Sequence, residues 1–287
     1  MGSTSISFID PLTNPTAHGG SASDAFHLVI PSLPGYGFSA QPTTTGWDTA
    51  HIASAWFALM KSLGYTQFVA QGGDVGAIVT HLMAKQAPPE LLGMHTNLPG
   101  TVPPEVLIAI AAGSPPPAGL SDDELRAFQQ VKDFSTKRSG YSFEMRTRPQ
   151  TLYGLVDSPI GLASWILDHD ADSYQLIADA FDGHPGGLTR DDVLDNITLY
   201  WLTNTAISAA RLYWENKVSP LAAVSVSIPA AVSVFPGEVY QAPRSWAERA
   251  YQNLIYFNNM DKGGHFAAWE QPEVFASEVR AAFRSLR

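Results

Sequence analysis

The sequence predicts an α/β fold in which a mostly parallel sheet carries helices on both faces. Short apolar runs alternate with amphipathic helical patterns between residues 48 and 98, and strand-like runs return after residue 229. Strands that alternate with helices pair in parallel, because each helix carries the chain back across the sheet. We therefore divide the chain into an N-terminal part of the core at 1–100, a helical cap insertion at 101–219 and a C-terminal part of the core at 220–287.

The N-terminal part of the core begins with Phe26–Ile30, an apolar run that predicts a buried strand. A loop rich in proline and glycine ends it. Periodic apolar residues then predict a helix that starts at Asp48 or Thr49 and stops at Gly64. The later predicted elements of this part are a strand at Phe68–Ala70, a helix over Ala77–Ala84 that Pro88 closes, and a strand at Leu91–Leu98.

The middle of the chain contains helical patterns and few strand-like runs, which is why we interpret it as an insertion into the sheet domain. The helical patterns are Asp122–Phe134 and Val193–Tyr213. The C-terminal part of the core then predicts a strand at Ala230–Phe235, a helix at Arg244–Tyr251, a strand at Leu254–Phe257 and a last helix that starts at Pro272.

Composition excludes several classes of protein. The 287 residues carry a net charge of −10, which argues against nucleic-acid binding because that depends on basic surfaces. No apolar stretch approaches the ~20 residues that span a bilayer, and the first residues do not resemble a secretory signal, so a cytoplasmic location is the default prediction. The absence of cysteine excludes disulfides and thiolate sites, and the histidine spacing predicts no metal site.

The run Gln-Gly-Gly-Asp-Val-Gly-Ala at residues 71–77 is the strongest functional signal in the chain. It places Asp74 between a predicted strand and a predicted helix, flanked by the small residues Gly72, Gly76 and Ala77. This layout is typical of a nucleophile elbow, a turn so tight that bulky neighbours would clash. A carboxylate, with an unperturbed pKa of about 3.9, can attack saturated carbon and form an alkyl ester. The plain alternative is that Asp74 caps the helix.

Hydrolysis of such an ester requires a base that activates water, and two later residues fit that need. Glu238 follows the predicted strand Ala230–Phe235, and His265 lies in a glycine-flanked loop after the last predicted strand. The carboxyl ends of parallel strands open onto one crevice, so we expect both residues to lie near Asp74. Glu238 would orient the imidazole, and His265 would take a proton from water. Taken singly, each is more often a structural or solvated loop residue.

With these residues identified, the chain resembles an epoxide hydrolase of the α/β-hydrolase superfamily, of the kind close to microsomal and fungal enzymes. The resemblance covers nearly the whole chain. It is carried by Ile30-Pro-Ser-Leu-Pro-Gly-Tyr-Gly-Phe-Ser39, Gly72-Gly-Asp-Val-Gly76, Asp157-Ser-Pro-Ile-Gly-Leu-Ala163 and Gly263-Gly-His-Phe-Ala-Ala-Trp-Glu270.

The resemblance implies roles for further residues. Tyr141 and Tyr213 match two cap tyrosines whose hydroxyls point at the epoxide oxygen, which needs a hydrogen-bond donor as it becomes an alkoxide. The plain alternative is that both merely pack an aromatic-rich cap. The backbone N–H of Val75 would form half of the oxyanion hole for ester hydrolysis. The implied reaction uses water, yields a diol and needs no cofactor or metal.

The chain departs from the family pattern at two places. Val75 stands where the family usually has tryptophan, and no His-Gly-x-Pro loop, the expected second oxyanion donor, is found upstream of Phe26. This pattern keeps open an alternative in which a truncated, catalytically impaired hydrolase acts as a binding fold. Haloalkane dehalogenases also use an aspartate nucleophile on this fold, but Val75 disfavours that interpretation because they often carry tryptophan there.

The expected partner is a small hydrophobic epoxide, since the cap is rich in aromatic residues. Detoxification and secondary metabolism both remain open as its biological context, and a homodimer is left open by the sequence.

Overall fold

The computed structural model describes residues 7–168, 171–184 and 188–287, and these residues divide into two compact units. The sheet unit comprises Thr49–Thr136, Val218–Ala267 and Ser277–Arg287. The helical unit comprises the described residues of Met1–Asp48, Lys137–Lys217 and Ala268–Ala276. The domain boundaries expected at residues 100 and 219 stay predictions.

The sheet unit is built on four parallel strands that lie side by side in chain order. They are β1 (Phe68–Gly72), β2 (Leu91–Thr96), β3 (Ala230–Val234) and β4 (Leu254–Asn259). Every residue of β3 is buried, as expected of an inner parallel strand that is covered on both faces. The predicted parallel α/β arrangement is therefore confirmed.

Helices occur in both units. In chain order they are α1 (Ile9–Thr13), α2 (Thr49–Ser62), α3 (Val75–Gln86), α4 (Pro104–Ala111), α5 (Asp122–Asp133), α6 (Gly140–Thr147), α7 (Gly154–Asp157), α8 (Pro159–Leu167), α9 (Ala171–Phe181), α10 (Arg190–Thr203), α11 (Ala206–Glu215), α12 (Arg244–Ala250), α13 (Ala267–Glu270) and α14 (Pro272–Ala282). Short 3₁₀ segments occur at Pro15–His18, Ala22–Asp24, Pro149–Tyr153 and Arg284–Leu286, and a π-helical turn at Phe134–Arg138 follows α5.

The core of the sheet unit forms where α3 lies on β1 and β2. Ile78, Val79 and Met83 of α3 are buried there, so the helix that follows Asp74 is held firmly against the strands. At its other end α3 stops at Ala87, which has a left-handed φ of 47° and precedes the two prolines that cannot continue the helix.

The predicted strand at Phe26–Ile30 is wrong, because these residues are irregular. An apolar run becomes a strand only when its backbone groups find a neighbouring strand, and within the described ranges this segment has none. Its backbone instead contacts a helical segment, where the Phe26 N–H donates to the Leu12 carbonyl at 2.9 Å. Ile30 is exposed, contrary to the buried position that the pattern predicted.

The single helical pattern predicted over Val193–Tyr213 is two helices in the structure. Asn204 adopts a left-handed conformation with φ of 53° and ends α10, after which α11 begins at Ala206. Asparagine tolerates this conformation better than most residues, so it acts as the stop signal within a continuous apolar pattern. Within the described ranges, no helix is both long and apolar enough to cross a bilayer.

Candidate active site

Asp74 lies at the apex of the turn between β1 and α3. Its φ of 50° and ψ of −130° fall in a region that non-glycine residues rarely occupy, which marks a strained backbone of the kind concentrated at functional sites. The side chain makes no capping hydrogen bond to α3. Asp74 therefore occupies the N-cap position of α3 without capping the helix through its side chain.

The tight turn depends on Gly72. A Cβ built on Gly72 would lie 2.1 Å from the backbone oxygen of Gly76, a separation that no real side chain tolerates. A Cβ on Gly76 would meet nothing within 4 Å. The expectation that bulk would clash therefore holds at Gly72, whereas an added methyl group has room at Gly76.

Val75 is the first residue of α3. Its backbone N–H belongs to the opening turn of the helix, where donors have no intrahelical acceptor. Such groups also carry the positive end of the helix dipole. A negative oxygen that develops beside Asp74 would therefore find a favourable field at this end of α3.

The loops that carry Glu238 and His265 are held together by a continuation of the parallel sheet beyond the ends of β3 and β4. Gly237 forms a parallel bridge with Gly264, and its N–H donates to the Gly263 carbonyl at 3.1 Å. A Cβ on Gly237 would approach the Gly264 Cα at 3.0 Å, so the close approach favours glycine. The prediction that these two strand ends converge is thereby explained by backbone pairing.

The three predicted triad side chains meet in the sheet unit. His265 Nδ1 donates to Glu238 Oε1 at 2.5 Å, and His265 Nε2 lies 3.8 Å from Asp74 Oδ1. Side-chain exposure rises along the row, from 0% for Glu238 through 15% for His265 to 29% for Asp74. The acid is thus shielded from water while the carboxylate at the other end stays accessible to a small molecule.

Asn97 is part of this site, although the sequence reasoning missed it. Its Nδ2 donates to Glu238 Oε2 at 3.0 Å and to the His265 carbonyl at 3.3 Å. The residue is 4% exposed and directly follows β2, at the strand ends where Asp74 and Glu238 also lie. A polar residue that follows a buried strand was the signal that could have identified it.

The predicted tyrosine pair lies in the helical unit. Tyr141 is on α6 and Tyr213 is on α11, and their rings meet edge to face with centroids 6.1 Å apart and an interplanar angle of 79°. Both rings are half-buried against a small apolar cluster of Met145, Leu152 and Ala210. The structure therefore brings the two tyrosines together, while their roles, like those of the triad and of Val75, stay predictions.

A loop of the helical unit anchors α11, the helix that carries Tyr213. Tyr36 Oη donates to the Ala209 carbonyl at 3.1 Å, and Arg211 Nη1 donates to the Pro42 carbonyl at 2.8 Å. Arg211 also bonds to Glu215 one turn along the helix, at 3.2 Å. These contacts fix the rotation of α11 about its axis and hence the direction in which Tyr213 points.

Comparison with known proteins agrees with this architecture. Residues 18–175 match the family described as the alpha/beta hydrolase fold. The chain is 49% identical over 283 residues to a protein of Stigmatella aurantiaca whose name assigns it provisionally to the epoxide hydrolases, covering 98% of this chain and 61% of that protein. It is 34% identical to epoxide hydrolase 1 of Oryctolagus cuniculus, over 93% of this chain and 62% of that one.

Solved structures give the same result. The Aspergillus niger epoxide hydrolase superposes with a TM-score of 0.76 at 28% sequence identity, covering 98% of this chain and 69% of the other. The chain spans about three-fifths of the length of the curated relatives that it matches.

Proposed function

We propose that this chain, which belongs to the α/β hydrolase fold family, hydrolyses an epoxide to a vicinal diol through an ester on Asp74. The observation that carries the proposal is the Asp74 carboxylate at the apex of a strained turn, with the His265–Glu238 pair beside it. A carboxylate in the nucleophile position attacks saturated carbon, which suits a strained ether better than a carbonyl substrate. The similarity to proteins named epoxide hydrolases supports the same conclusion.

In the first step, an oxygen of Asp74 attacks one epoxide carbon and forms a C–O bond. The ring C–O bond breaks, and its electron pair moves to the ring oxygen, which takes a proton from Tyr141 or Tyr213. The product is a hydroxyalkyl ester of Asp74. A hydroxyl donor at the developing alkoxide lowers the barrier because it stabilises charge that is present only in the transition state.

In the second step, His265 Nε2 removes a proton from water as the water oxygen attacks the ester carbonyl carbon of Asp74. The Val75 N–H stabilises the resulting oxyanion, and Glu238 stabilises the imidazolium. Collapse breaks the bond between that carbon and the alkyl oxygen. The departing oxygen takes the proton from His265, which releases the diol and leaves Asp74 as a carboxylic acid. Transfer of that remaining proton through solvent to the tyrosinate formed in the first step restores the Asp74 carboxylate and the tyrosine. Proximity of His265 to the Asp74 carboxyl group supports this role.

The substrate that we propose is a small hydrophobic epoxide, with water as the second reactant. Cytoplasmic location and dimerisation stay predictions of the sequence, as does the wider biological role of the reaction.

The test is conversion of styrene oxide to its diol by the folded protein, beside an Asp74→Ala variant. Turnover should be abolished in the variant. A single turnover in ¹⁸O-labelled water sharpens the test, because the mechanism places ¹⁸O in Asp74 while the oxygen newly added to the diol comes from the original carboxylate. Direct incorporation of ¹⁸O into the first diol would contradict the ester. A folded protein that binds the epoxide without turnover would support the binding-fold alternative, and halide release from a haloalkane would support a dehalogenase.

A further inference from the structure

We propose that Asn97 is a positioning residue that prepares the Glu238–His265 pair for ester hydrolysis and has little part in ring opening. This inference rests on the proposed function. The first observation is that one buried amide connects two segments of the site: Nδ2 donates to Glu238 Oε2 at 3.0 Å and to the His265 carbonyl at 3.3 Å.

The two oxygens of the Glu238 carboxylate have different partners. Oε1 accepts from His265 Nδ1 at 2.5 Å and from the Val239 N–H at 2.7 Å, whereas Oε2 accepts from Asn97. In the part of the chain that the structure describes, Asn97 is the donor that satisfies Oε2. Because the Glu238 side chain is fully buried, loss of this donor would leave a carboxylate oxygen without water or a partner. The carboxylate would then turn away from the geometry that aligns His265.

The orientation of the Asn97 amide is fixed from its other end. Gln71 Nε2 donates to Asn97 Oδ1 at 3.3 Å, which directs the Nδ2 donor towards Glu238. The same oxygen lies against Gly73, where an added Cβ would be 2.6 Å away. Asn97 therefore packs on the backbone of the elbow as well as bonding to the acid and to the His265 loop.

The two half-reactions depend differently on this arrangement. Ring opening uses the Asp74 carboxylate and a proton donor, and none of the described hydrogen bonds joins Asn97 to Asp74. Ester hydrolysis requires the imidazole to hold its proton on Nδ1 and to keep Nε2 towards water, which depends on the orientation of Glu238. We therefore assign the effect of Asn97 to the second step.

The experiment compares Asn97→Ala and Asn97→Asp with the wild-type protein in single-turnover reactions with styrene oxide. Rapid quenching followed by mass spectrometry of the Asp74 peptide measures ester formation and decay separately. We expect ester formation within about threefold of wild type in both variants, and hydrolysis about tenfold slower in Asn97→Ala, the scale of a lost supporting hydrogen bond. Asn196→Ala on α10, which removes another buried asparagine, is the matched control and should leave both rates unchanged.

The pH dependence of Asn97→Asp separates positioning from simple packing. Two neighbouring carboxyl groups share a proton, and the introduced carboxyl group can donate to Glu238 when it is protonated, as the amide does. Hydrolysis in this variant should therefore recover as pH falls, with an optimum about one pH unit more acidic than in wild type. If Asn97→Ala does not fold, this isosteric variant alone decides the question.

Wild-type hydrolysis rates with an unchanged pH profile in both variants would overturn the role of Asn97, and so would equal losses in the two half-reactions. A folded wild-type protein that forms no ester from styrene oxide would overturn the proposed function and this inference together, which distinguishes that failure from the first.

Discussion

The sheet unit and the helical unit hold their candidate functional residues by different means. In the sheet unit, a parallel backbone bridge and the His265–Glu238 hydrogen bond hold Glu238 and His265 in place. Close packing at Gly72 and Gly237 constrains the turn at Asp74 and the bridge. In the helical unit, ring packing and the anchoring of α11 hold Tyr141 and Tyr213. Backbone pairing permits little adjustment, while a cluster of side chains can repack. The proposed chemistry also divides this way, with the water-activating base in one unit and the proton donors in the other.

The largest effect is expected from removal of His265, the proposed base in the sheet unit. His265→Gln should slow ester hydrolysis by about 10³-fold, because general-base assistance contributes on that scale, and it should leave ring opening nearly intact. One equivalent of substrate should therefore accumulate as ester, which intact-protein mass spectrometry detects as an added mass. If ring opening and hydrolysis fell together, the division of labour between the two units would be disproved.

The elbow glycines provide a stability test within the sheet unit. Gly72→Ala should destabilise the fold by about 3 kcal/mol or more, since its Cβ would overlap the backbone of Gly76. Gly76→Ala is the matched control and should be neutral or stabilising by up to about 1 kcal/mol, because alanine favours the helix and meets no neighbour. Urea unfolding measures both. Equal destabilisation by the two changes would show that the turn is not limited by the clash at Gly72.

The tyrosine pair should give the reverse kinetic pattern to His265. The double variant Tyr141→Phe/Tyr213→Phe lacks both hydroxyls and should open the ring about 10²-fold more slowly, the scale of a lost oxyanion donor. Once the ester has formed, it should be hydrolysed at the wild-type rate. Stopped-flow and quenched single turnovers separate these rates. Tyr153→Phe alters an exposed tyrosine of the same unit and should change neither rate. A wild-type ring-opening rate in the double variant would show that the two tyrosines only pack in the helical unit.

The smallest of these effects is on the pH dependence of folding stability, which differs between histidines of the two units. In the sheet unit, burial lowers the pKa of His81 to about 4 and that of His95 to about 3. The unfolded chain binds protons at these histidines below pH 6.5 while the folded protein does not, so each contributes stability that is lost as pH falls from about 6.5. The loss is roughly 2 kcal/mol per histidine between pH 7 and pH 5.

At His18 in the helical unit, the dependence of folding stability on pH has the opposite sign. Hydrogen bonding to Asp10 raises the pKa of His18, so its contribution is present at acid pH and is lost as pH rises through the folded value. Unfolding measured by urea at pH 7 and pH 5 should show that His81→Gln removes part of the acid sensitivity, whereas the exposed His184→Gln does not. An unchanged pH slope in His81→Gln would contradict the burial argument.

The sequence predicted the sheet unit well because its signals are local. A short apolar run followed by glycines around Asp74 is itself the tight turn, and the order of strands places Glu238 and His265 at the same edge. Asn97 was missed because its local signal, a polar residue at the end of a buried strand, does not show that it contacts a residue some 140 positions later. Phe26–Ile30 failed for the converse reason, since its local pattern is that of a strand but no partner strand is present in the described part of the chain.

The tyrosines could be found only through family resemblance. Neither Tyr141 nor Tyr213 stands in a local pattern that distinguishes it from the other tyrosines, because their meeting depends on how α6 packs on α11. The break at Asn204, which sets where α11 begins, was equally hidden in a continuous apolar pattern.

The pairing of β2 with β3 has a consequence for folding during translation. Met94 pairs with Ala230, so the sheet cannot close until more than 130 further residues have been translated. At about 5–20 residues per second, that interval lasts roughly 7 to 27 s. During it the largely buried strand β2 lacks its neighbour, and its open edge can associate with other nascent chains. We expect the yield of folded protein to depend on chaperones that shield this edge while translation continues.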